Sequence, residues 1–262
     1  MLDRFDEICT REGLIYWLHA GTLLGSVRGK DLIPWDDDAD LTVPRESFDR
    51  IRSMRKDLSD DSIQFSFPED SSTFYDFIPG FHCDKYIVEQ KTVNSDGQSQ
   101  SFFTSPKIDL FVLDECGNGF HHRMTVFRLL SKYLLARGHR QVKMDLDLRT
   151  NRLVKPLLAA IAKLYEQRGS RIEFDKILSK YESISRRETC PKCSYLFISN
   201  DQPWSLSKIY TKPMYSETVM GRVGDREYPI PGGYHGVLTE IYGDYMVVVP
   251  PDERNPSHYV LK

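Results

Sequence analysis

The chain has almost no net charge, few cysteines and no long apolar run, and each shortage excludes something. Its 262 residues carry 35 Lys and Arg against 38 Asp and Glu, a net charge of -3. Nucleic-acid-binding domains show a strongly basic footprint, so no nucleic-acid partner is expected. No stretch reaches ~18 consecutive apolar residues, which gives no membrane span. The start, Met1-Leu2-Asp3-Arg4-Phe5-Asp6, is charged and lacks a signal-peptide core. The five cysteines are odd and sparse. Cys9, Cys83 and Cys116 are isolated, and Cys190-Pro191-Lys192-Cys193 is half a zinc-ribbon pattern with no second pair, better read as a loop with two free thiols. Together these features suit a soluble chain of a reducing compartment. Internal repeats and long low-complexity tracts are missing too.

Several phosphate and metal motifs fail on spacing. An EF-hand loop beginning at Asp36 needs glycine where Leu41 stands and glutamate where Ser47 stands. A Walker A motif ending at Gly29-Lys30 needs glycine at Leu24 and a hydroxyl residue at Asp31. No G-x-G-x-x-G follows a strand, and there is no H-E-x-x-H.

The composition that is present, 40% hydrophobic and 28% charged, is ample for a core. Leu2, Phe5, Ile8 and Cys9 fall at helical spacing, with Gly13 as a stop. Leu14–Leu18 reads as a buried strand. A glycine-studded turn, Gly21-Thr22-Leu23-Leu24-Gly25-Ser26, follows, with a short helix opening near Thr22. A strand at Ala39–Val43 ends at Pro44, and Phe48, Ile51 and Met54 mark a helix. Further strands are expected at Ile63–Phe67, Tyr86–Glu89 and Lys107–Leu113, the last ending in a polar turn, Asp114 to Gly119. This mixture predicts an α/β core.

Residues 121–137 and 151–184 are helical in pattern, with stripes Leu153-Leu157-Ile161-Leu164 and Phe174-Ile177-Leu178-Tyr181. Arg123, Arg128, Lys132, Arg137, Arg140 and Lys143 suit a solvated helix face, or contact with a membrane or an anionic substrate. Tyr195–Ser199 is a strand candidate, and a short helix ends in Ile241-Tyr242-Gly243-Asp244-Tyr245. The expected organisation is a catalytic core at 1–120, a helical region at 121–190 and a C-terminal segment at 191–262 packing back on the core.

The most informative stretch is Trp35-Asp36-Asp37-Asp38-Ala39-Asp40. Crowded carboxylates repel unless a cation or water neutralises them. On a strand beginning near Asp38, Asp38, Asp40 and Thr42 share one face and Ala39, Leu41 and Val43 the other. Two such carboxylates can share a divalent cation, and Mg²⁺ takes one or two carboxylates plus phosphate oxygens. Asp109 is the best third ligand, because a lone acid in the run Lys107–Leu113 is costly unless paired. Asp36 and Asp37 are outer residues. Gly21 and Gly25 permit close backbone approach. Thr22 and Ser26 offer hydroxyls, N–H groups at a helix start can hold phosphate oxygens, and Arg28 can neutralise phosphate charge.

Tyr16-Trp17-Leu18-His19-Ala20-Gly21-Thr22-Leu23-Leu24-Gly25-Ser26-Val27-Arg28, followed by Ile33-Pro34-Trp35-Asp36-Asp37-Asp38-Ala39-Asp40, resembles the LicD family. That family includes bacterial phosphocholine transferases and the fukutin-related proteins, within the nucleotidyltransferase-fold superfamily. Gly25-Ser26, Asp38-x-Asp40 and Asp109 match the superfamily pattern in order. Lys107–Asp114 is similar to the family's second acidic block, and Tyr242-Gly243-Asp244-Tyr245-Met246 with Pro250-Pro251 to its C-terminal signature. The resemblance implies an α+β fold, a nucleotidyltransferase-like mixed sheet flanked by helices, with a helical insertion and a C-terminal segment. It implies transfer of a phospho-alcohol from a CDP-activated donor, CDP-choline first, to a glycan hydroxyl, with release of CMP.

On that basis Asp38, Asp40 and Asp109 would hold Mg²⁺ or Mn²⁺ and carry catalysis. Gly21, Thr22, Gly25, Ser26, Arg28, Asp36, Tyr242 and Asp244 would bind substrate. The expected location is the cytoplasm, with peripheral contact at the inner face of the membrane. Two other readings are a glycosyltransferase using a nucleotide sugar and a noncatalytic accessory factor. Only 37 residues precede Asp38, too few for a Rossmann-like nucleotide domain, which counts against the first. The intact acids count against the second.

Overall fold

The computed structural model describes residues 1–36, 38–60, 63–70, 76–83, 85–86, 88–93, 99–141, 155–186, 195–203, 205–248, 250 and 259–260, with backbone alone for 88–93, 99–104 and 259–260. Two compact units result: residues 1–66, 79–113 and 208–262, and residues 67–78 and 114–207. In chain order the first elements are α1 (Leu2–Glu12), β1 (Trp17–Leu18), α2 (Ala20–Gly29), β2 (Ala39–Pro44) and α3 (Arg45–Leu58). Strands β3 (Ile63–Ser66), β4 (Gly80–Cys83), β5 (Val88–Val93), β6 (Ser99–Thr104) and β7 (Lys107–Cys116) follow. Then come α4 (Gly119–Arg140), α5 (Lys155–Gly169), α6 (Phe174–Ser185) and β8 (Tyr195–Ile198). The C-terminal part holds β9 (Tyr210–Thr211), β10 (Thr218–Val223), β11 (Arg226–Pro231), α7 (Tyr234–Tyr242) and β12 (Tyr259–Val260).

The first unit is organised by a mixed sheet in the order β1-β2-β7-β4-β3. β2 and β7 run parallel and the other neighbours antiparallel. A parallel pair inside a sheet is apolar where it is covered. Leu41, Val43, Ile108, Leu110 and Val112 are all buried on that account. Helix α1 adds Phe5, which meets Tyr16 and Phe81 edge-on at centroid distances of 5.2 and 5.5 Å. Gly13, at φ 62, closes α1 as its sequence position predicts: its N–H donates to the Thr10 carbonyl and the Leu14 N–H to that of Cys9. Helix α3 buries Phe48 and Ile51. The hairpin β10–β11, which the hydrophobic pattern does not announce, packs against α2. The α+β class read from the sequence is therefore the observed one.

Several sequence expectations are corrected locally. The strand expected over Leu14–Leu18 shrinks to Trp17–Leu18, the two residues that pair with β2, while the Ile15 N–H donates to the Ser47 hydroxyl instead. β7 runs on through Asp114, which is buried in the strand and not in a turn beyond it. In the second unit Leu157 and Leu164 of α5 face outward, while Phe174, Ile177, Leu178 and Tyr181 of α6 are buried as expected. Leu153, Lys143, Cys190 and Cys193 lie outside the described residues.

In the second unit α4 and α5 cross almost backbone to backbone. A Cβ at Gly138 would lie 1.9 Å from the Glu166 carbonyl oxygen, and one at Gly169 would lie 2.1 Å from that of Leu135. Only glycine allows so close an approach. The crossing also buries Arg137 to 2% exposure, with its guanidinium 3.2 Å from the Glu166 carboxylate. Tyr181 stacks on Phe77 and donates to the Ser199 carbonyl.

Candidate functional site

The register of β2 on β7 sets the acids. Asp40 stands opposite Asp109, Leu41 opposite Leu110 and Thr42 opposite Phe111. In-register neighbours on parallel strands share a face. Asp40 and Asp109 therefore project together from the side opposite the apolar layer. Asp38 precedes the first ladder residue, so the register that places Asp40 does not place Asp38. Among the described residues no three His, Cys, Asp or Glu side chains form a group able to hold a metal ion. Asp38, Asp40 and Asp109 are thus not closed into the expected three-carboxylate cage. What the fold provides is the pair Asp40 and Asp109, and Asp37 lies outside the described residues.

A cation already stands beside that pair. Lys107, two residues before Asp109 on the same face of β7, places its ammonium in ion-pair contact with Asp109 Oδ1. Its aliphatic stem crosses Gly80, where a Cβ would meet Lys107 Cδ at 2.3 Å. Gly80 is the β4 residue opposite Asp109, so its missing side chain opens the path for the lysine. A buried carboxylate oxygen requires such neutralisation. The donor chemistry of the pair is hard oxygen, which suits Mg²⁺ or Mn²⁺ shared with phosphate oxygens.

The start of α2 lies against Asp40. Thr22 Oγ1 accepts from the Asp40 N–H at 2.9 Å, and the His19 N–H donates to the Asp40 carbonyl at 2.9 Å. Both main-chain polar groups of Asp40 are thereby held by the first turn of the helix. Gly21 has a specific reason to lack a side chain: a Cβ there would lie 2.1 Å from Asp36 Oδ2. The Asp36 carboxylate thus sits over the first turn of α2, where unsatisfied N–H groups and the helix dipole favour an anion.

Gly25, Ser26 and Arg28 are placed otherwise. All three belong to the body of α2, the helix expected to open near Thr22; it begins at Ala20, so the whole glycine-studded stretch from Gly21 on is helical. A Cβ at Gly25 would lie 2.4 Å from the Asp31 carbonyl oxygen and 3.0 Å from the Ile33 nitrogen, so this glycine admits the returning loop. Ser26 is buried with its hydroxyl turned to Gly221 of β10. Arg28 donates to the carbonyls of Tyr245 and Val247 at 3.3 and 3.5 Å. It stands seven residues beyond Gly21, about 10 Å along the helix axis. Tyr242 and Asp244 are exposed around the C-terminal end of α7.

His19 is the residue that sequence reasoning passed over. It occupies the N-cap position of α2 and is buried, with its ring 5.1 Å from that of Phe111. Burial first, then the charge of Lys208, lowers its pKa to about 3, so the imidazole is neutral at ordinary pH. Its place between a strand end and a helix start was the one available signal.

The family described as LicD/FKTN/FKRP, nucleotidyltransferase domain, matches residues 13–128, which include β1, α2, β2 and β7. A lipopolysaccharide cholinephosphotransferase, LicD, from Haemophilus influenzae is 25% identical over 262 residues, 98% of this chain and 92% of that protein. The ribitol 5-phosphate transferases FKRP of Mus musculus and Homo sapiens are 44% identical over 43 residues, 16% of this chain and 9% of theirs. Residues 13–128 thus carry the match to the LicD/FKTN/FKRP nucleotidyltransferase domain, and the similarity to a LicD-type phosphotransferase extends along nearly the whole chain.

Proposed function

We propose that the protein moves a phospho-alcohol from a CDP-activated donor to a hydroxyl of a cell-surface glycan and releases CMP. One observation carries the reading: the in-register pair Asp40 and Asp109 lies beside the start of α2. Carboxylates that attract a divalent cation and N–H groups that attract phosphate oxygens then stand side by side, as a diphosphate bond requires. Phosphocholine is the favoured group, because the similarity to the Haemophilus influenzae cholinephosphotransferase runs along nearly all of both chains. Ribitol phosphate is the alternative that the shorter FKRP match supports.

Bound at Asp40 and Asp109, with Asp38 as a third ligand, Mg²⁺ or Mn²⁺ would offset the charge that develops as the bond to CMP breaks. Thr22 keeps Asp40 in place through its backbone. The first turn of α2 takes a phosphate oxygen where the Asp36 carboxylate now rests. Asp36, once displaced, is the nearby base for the acceptor hydroxyl. Lys107 holds the charge of Asp109 until the donor arrives. No described helix is long and apolar enough to cross a membrane, and the proposed place of action is the cytoplasm, at the inner face of the membrane.

The test is a donor panel. The protein is incubated with CDP-choline, CDP-ribitol, CDP-glycerol and UDP-sugars, each with Mg²⁺, with Mn²⁺ and with EDTA, and nucleotide release is measured. CMP release from a CDP-alcohol that EDTA abolishes is expected. UDP release from a sugar donor, with none from the CDP compounds, overturns the reading.

A further inference from the structure

Helix α4 belongs to the second unit. Its first half keeps three large apolar side chains in water: Phe120 at 72% exposure, Met124 at 42% and Phe127 at 49%. Their spacing, i, i+4 and i+7, puts them within about 60° of arc on an α-helix. The same geometry sets Arg123 about 40° to one side of the stripe and Arg128 about 40° to the other. Both arginines are exposed. Thr125 and Leu129, on the opposite side, are buried. The exposed face is therefore an apolar ridge with a cation on each flank.

The charge of the helix points the same way. α4 contains Arg123, Arg128, Lys132, Arg137 and Arg140 and no acid at all, in a chain whose net charge is -3. Arg137 is turned inward to Glu166. Around Lys132 the charges of Arg128, Lys180 and Arg168 add to burial in lowering its pKa, which shows that the positive groups crowd one another beyond the stripe. A strongly anionic surface would relieve this repulsion.

We infer that the first half of α4 docks on an anionic lipid surface, its Phe120-Met124-Phe127 ridge entering the boundary between headgroups and acyl chains while Arg123 and Arg128 meet lipid phosphates. An in-plane helix with aromatic residues on one side and basic residues beside them has this physical form. A protein partner suits the ridge less well. A stable interface buries roughly 800 Å² per partner, whereas Phe120 to Phe127 covers about 10 Å of helix. The inference stands independently of the transferase reading.

The experiment is co-sedimentation of the full chain with phosphatidylcholine vesicles, with and without phosphatidylglycerol, at low and high salt. Binding to the anionic vesicles only, weakened by salt, is expected. The variant F120S/F127S should bind about tenfold less or worse, and R123E/R128E should lose the preference for anionic lipid. Unchanged thermal melting of both variants verifies that the fold persists, since all four side chains are exposed. Failure to bind anionic vesicles, or equal binding by the wild type and both variants, overturns the proposal. So does a concentration-dependent dimer, seen by sedimentation velocity, that F120S/F127S abolishes, because the ridge would then belong to a second copy.

Discussion

At the start of α2, Gly21 leaves room for the Asp36 carboxylate and Thr22 holds the backbone of Asp40. One turn later, Gly25 leaves room for the backbone of the Asp31–Ile33 loop, and Ser26 is buried against Gly221. Both ends pair a glycine with a hydroxyl residue, and both glycines are required by close approach. What approaches differs. At the first turn it is a side-chain anion beside unsatisfied N–H groups, at a place a phosphate can take over. In the helix body the N–H groups are spent on the helix, and the approach of the loop is packing. A residue pair thus acquires chemistry from its place in the helix more than from its identity.

The strongest way to break this comparison is to remove the acids at the chemical end. Asp40→Asn or Asp109→Asn should lower CMP release by about a thousandfold or more, since each removes a charge from the face where the reaction is placed. Melting of the Asp40 variant should change little or rise slightly, because it relieves repulsion between in-register neighbours, whereas the Asp109 variant also deprives the Lys107 ammonium of its carboxylate and should melt slightly earlier. An Asp109 variant that melts much earlier and keeps its turnover would assign Asp109 to a structural ion pair with Lys107 and move the chemistry elsewhere.

That prediction was largely legible in the sequence, and it is useful to ask why. Alternation along β2 and the lone acid in the apolar run of β7 each specify a face, and parallel pairing does the rest. Asp38 was not legible, since alternation assumes a strand that in fact begins one residue later, at Ala39. The helix over Gly25, Ser26 and Arg28 was legible from its expected opening near Thr22, but the surroundings of these residues were not. Two glycines in six residues suggest a phosphate-binding turn, and the packing that occupies them comes from β10, roughly two hundred residues on, and from the loop that follows. Lys107 was visible only as a flanking residue, because its reach depends on the absent side chain of Gly80 on another strand.

The two glycines provide the next test, as a matched pair. Gly25→Ala drives a methyl group against main-chain atoms that cannot swing away, and should cost about 3 kcal/mol of stability, seen as a lower midpoint in urea. Gly21→Ala meets the end of a flexible carboxylate, so Asp36 can turn aside at about 1 kcal/mol or less. The Gly21 variant should instead raise the KM for the donor by narrowing the anion position. Adding Asp36→Ala to it should restore stability without restoring the KM. Equal stability losses at the two positions would erase the distinction between the two ends.

His19 sharpens the comparison through pH. Unfolded, it takes a proton near its ordinary pKa of 6.5; folded, not until about 3. Between those values the unfolded chain binds more protons, so stability falls as pH falls from 6.5 toward 3. At pH 5 the contribution is about 2 kcal/mol relative to neutral pH. Replacing His19 by Gln, which keeps a polar side chain but cannot titrate, should flatten this part of the urea-midpoint profile. A profile of unchanged slope would mean that the histidine is protonated in the fold, and therefore that it faces an anion at the start of α2.

Arg28 should give the smallest effect, and its direction decides between two roles. The residue type suits phosphate binding, but its guanidinium is engaged by the Tyr245 and Val247 carbonyls, about 10 Å along the helix from Gly21. Those two bonds fasten the segment after α7 to α2, and one neighbouring anchor is the hydrogen bond of 2.9 Å between His235 Nδ1 and the Tyr245 hydroxyl. Arg28→Met keeps the aliphatic stem and deletes the donors, so the loss should be about 1 kcal/mol, the worth of ordinary hydrogen bonds partly open to water. With packing as its role, kcat and the donor KM stay within about twofold of wild type while the midpoint falls. With phosphate contact as its role, the donor KM rises tenfold or so at unchanged stability. The second outcome would require the C-terminal end of α2 to face the donor as well as its start, and the contrast between the two ends would then lie in Gly25 and Ser26 alone.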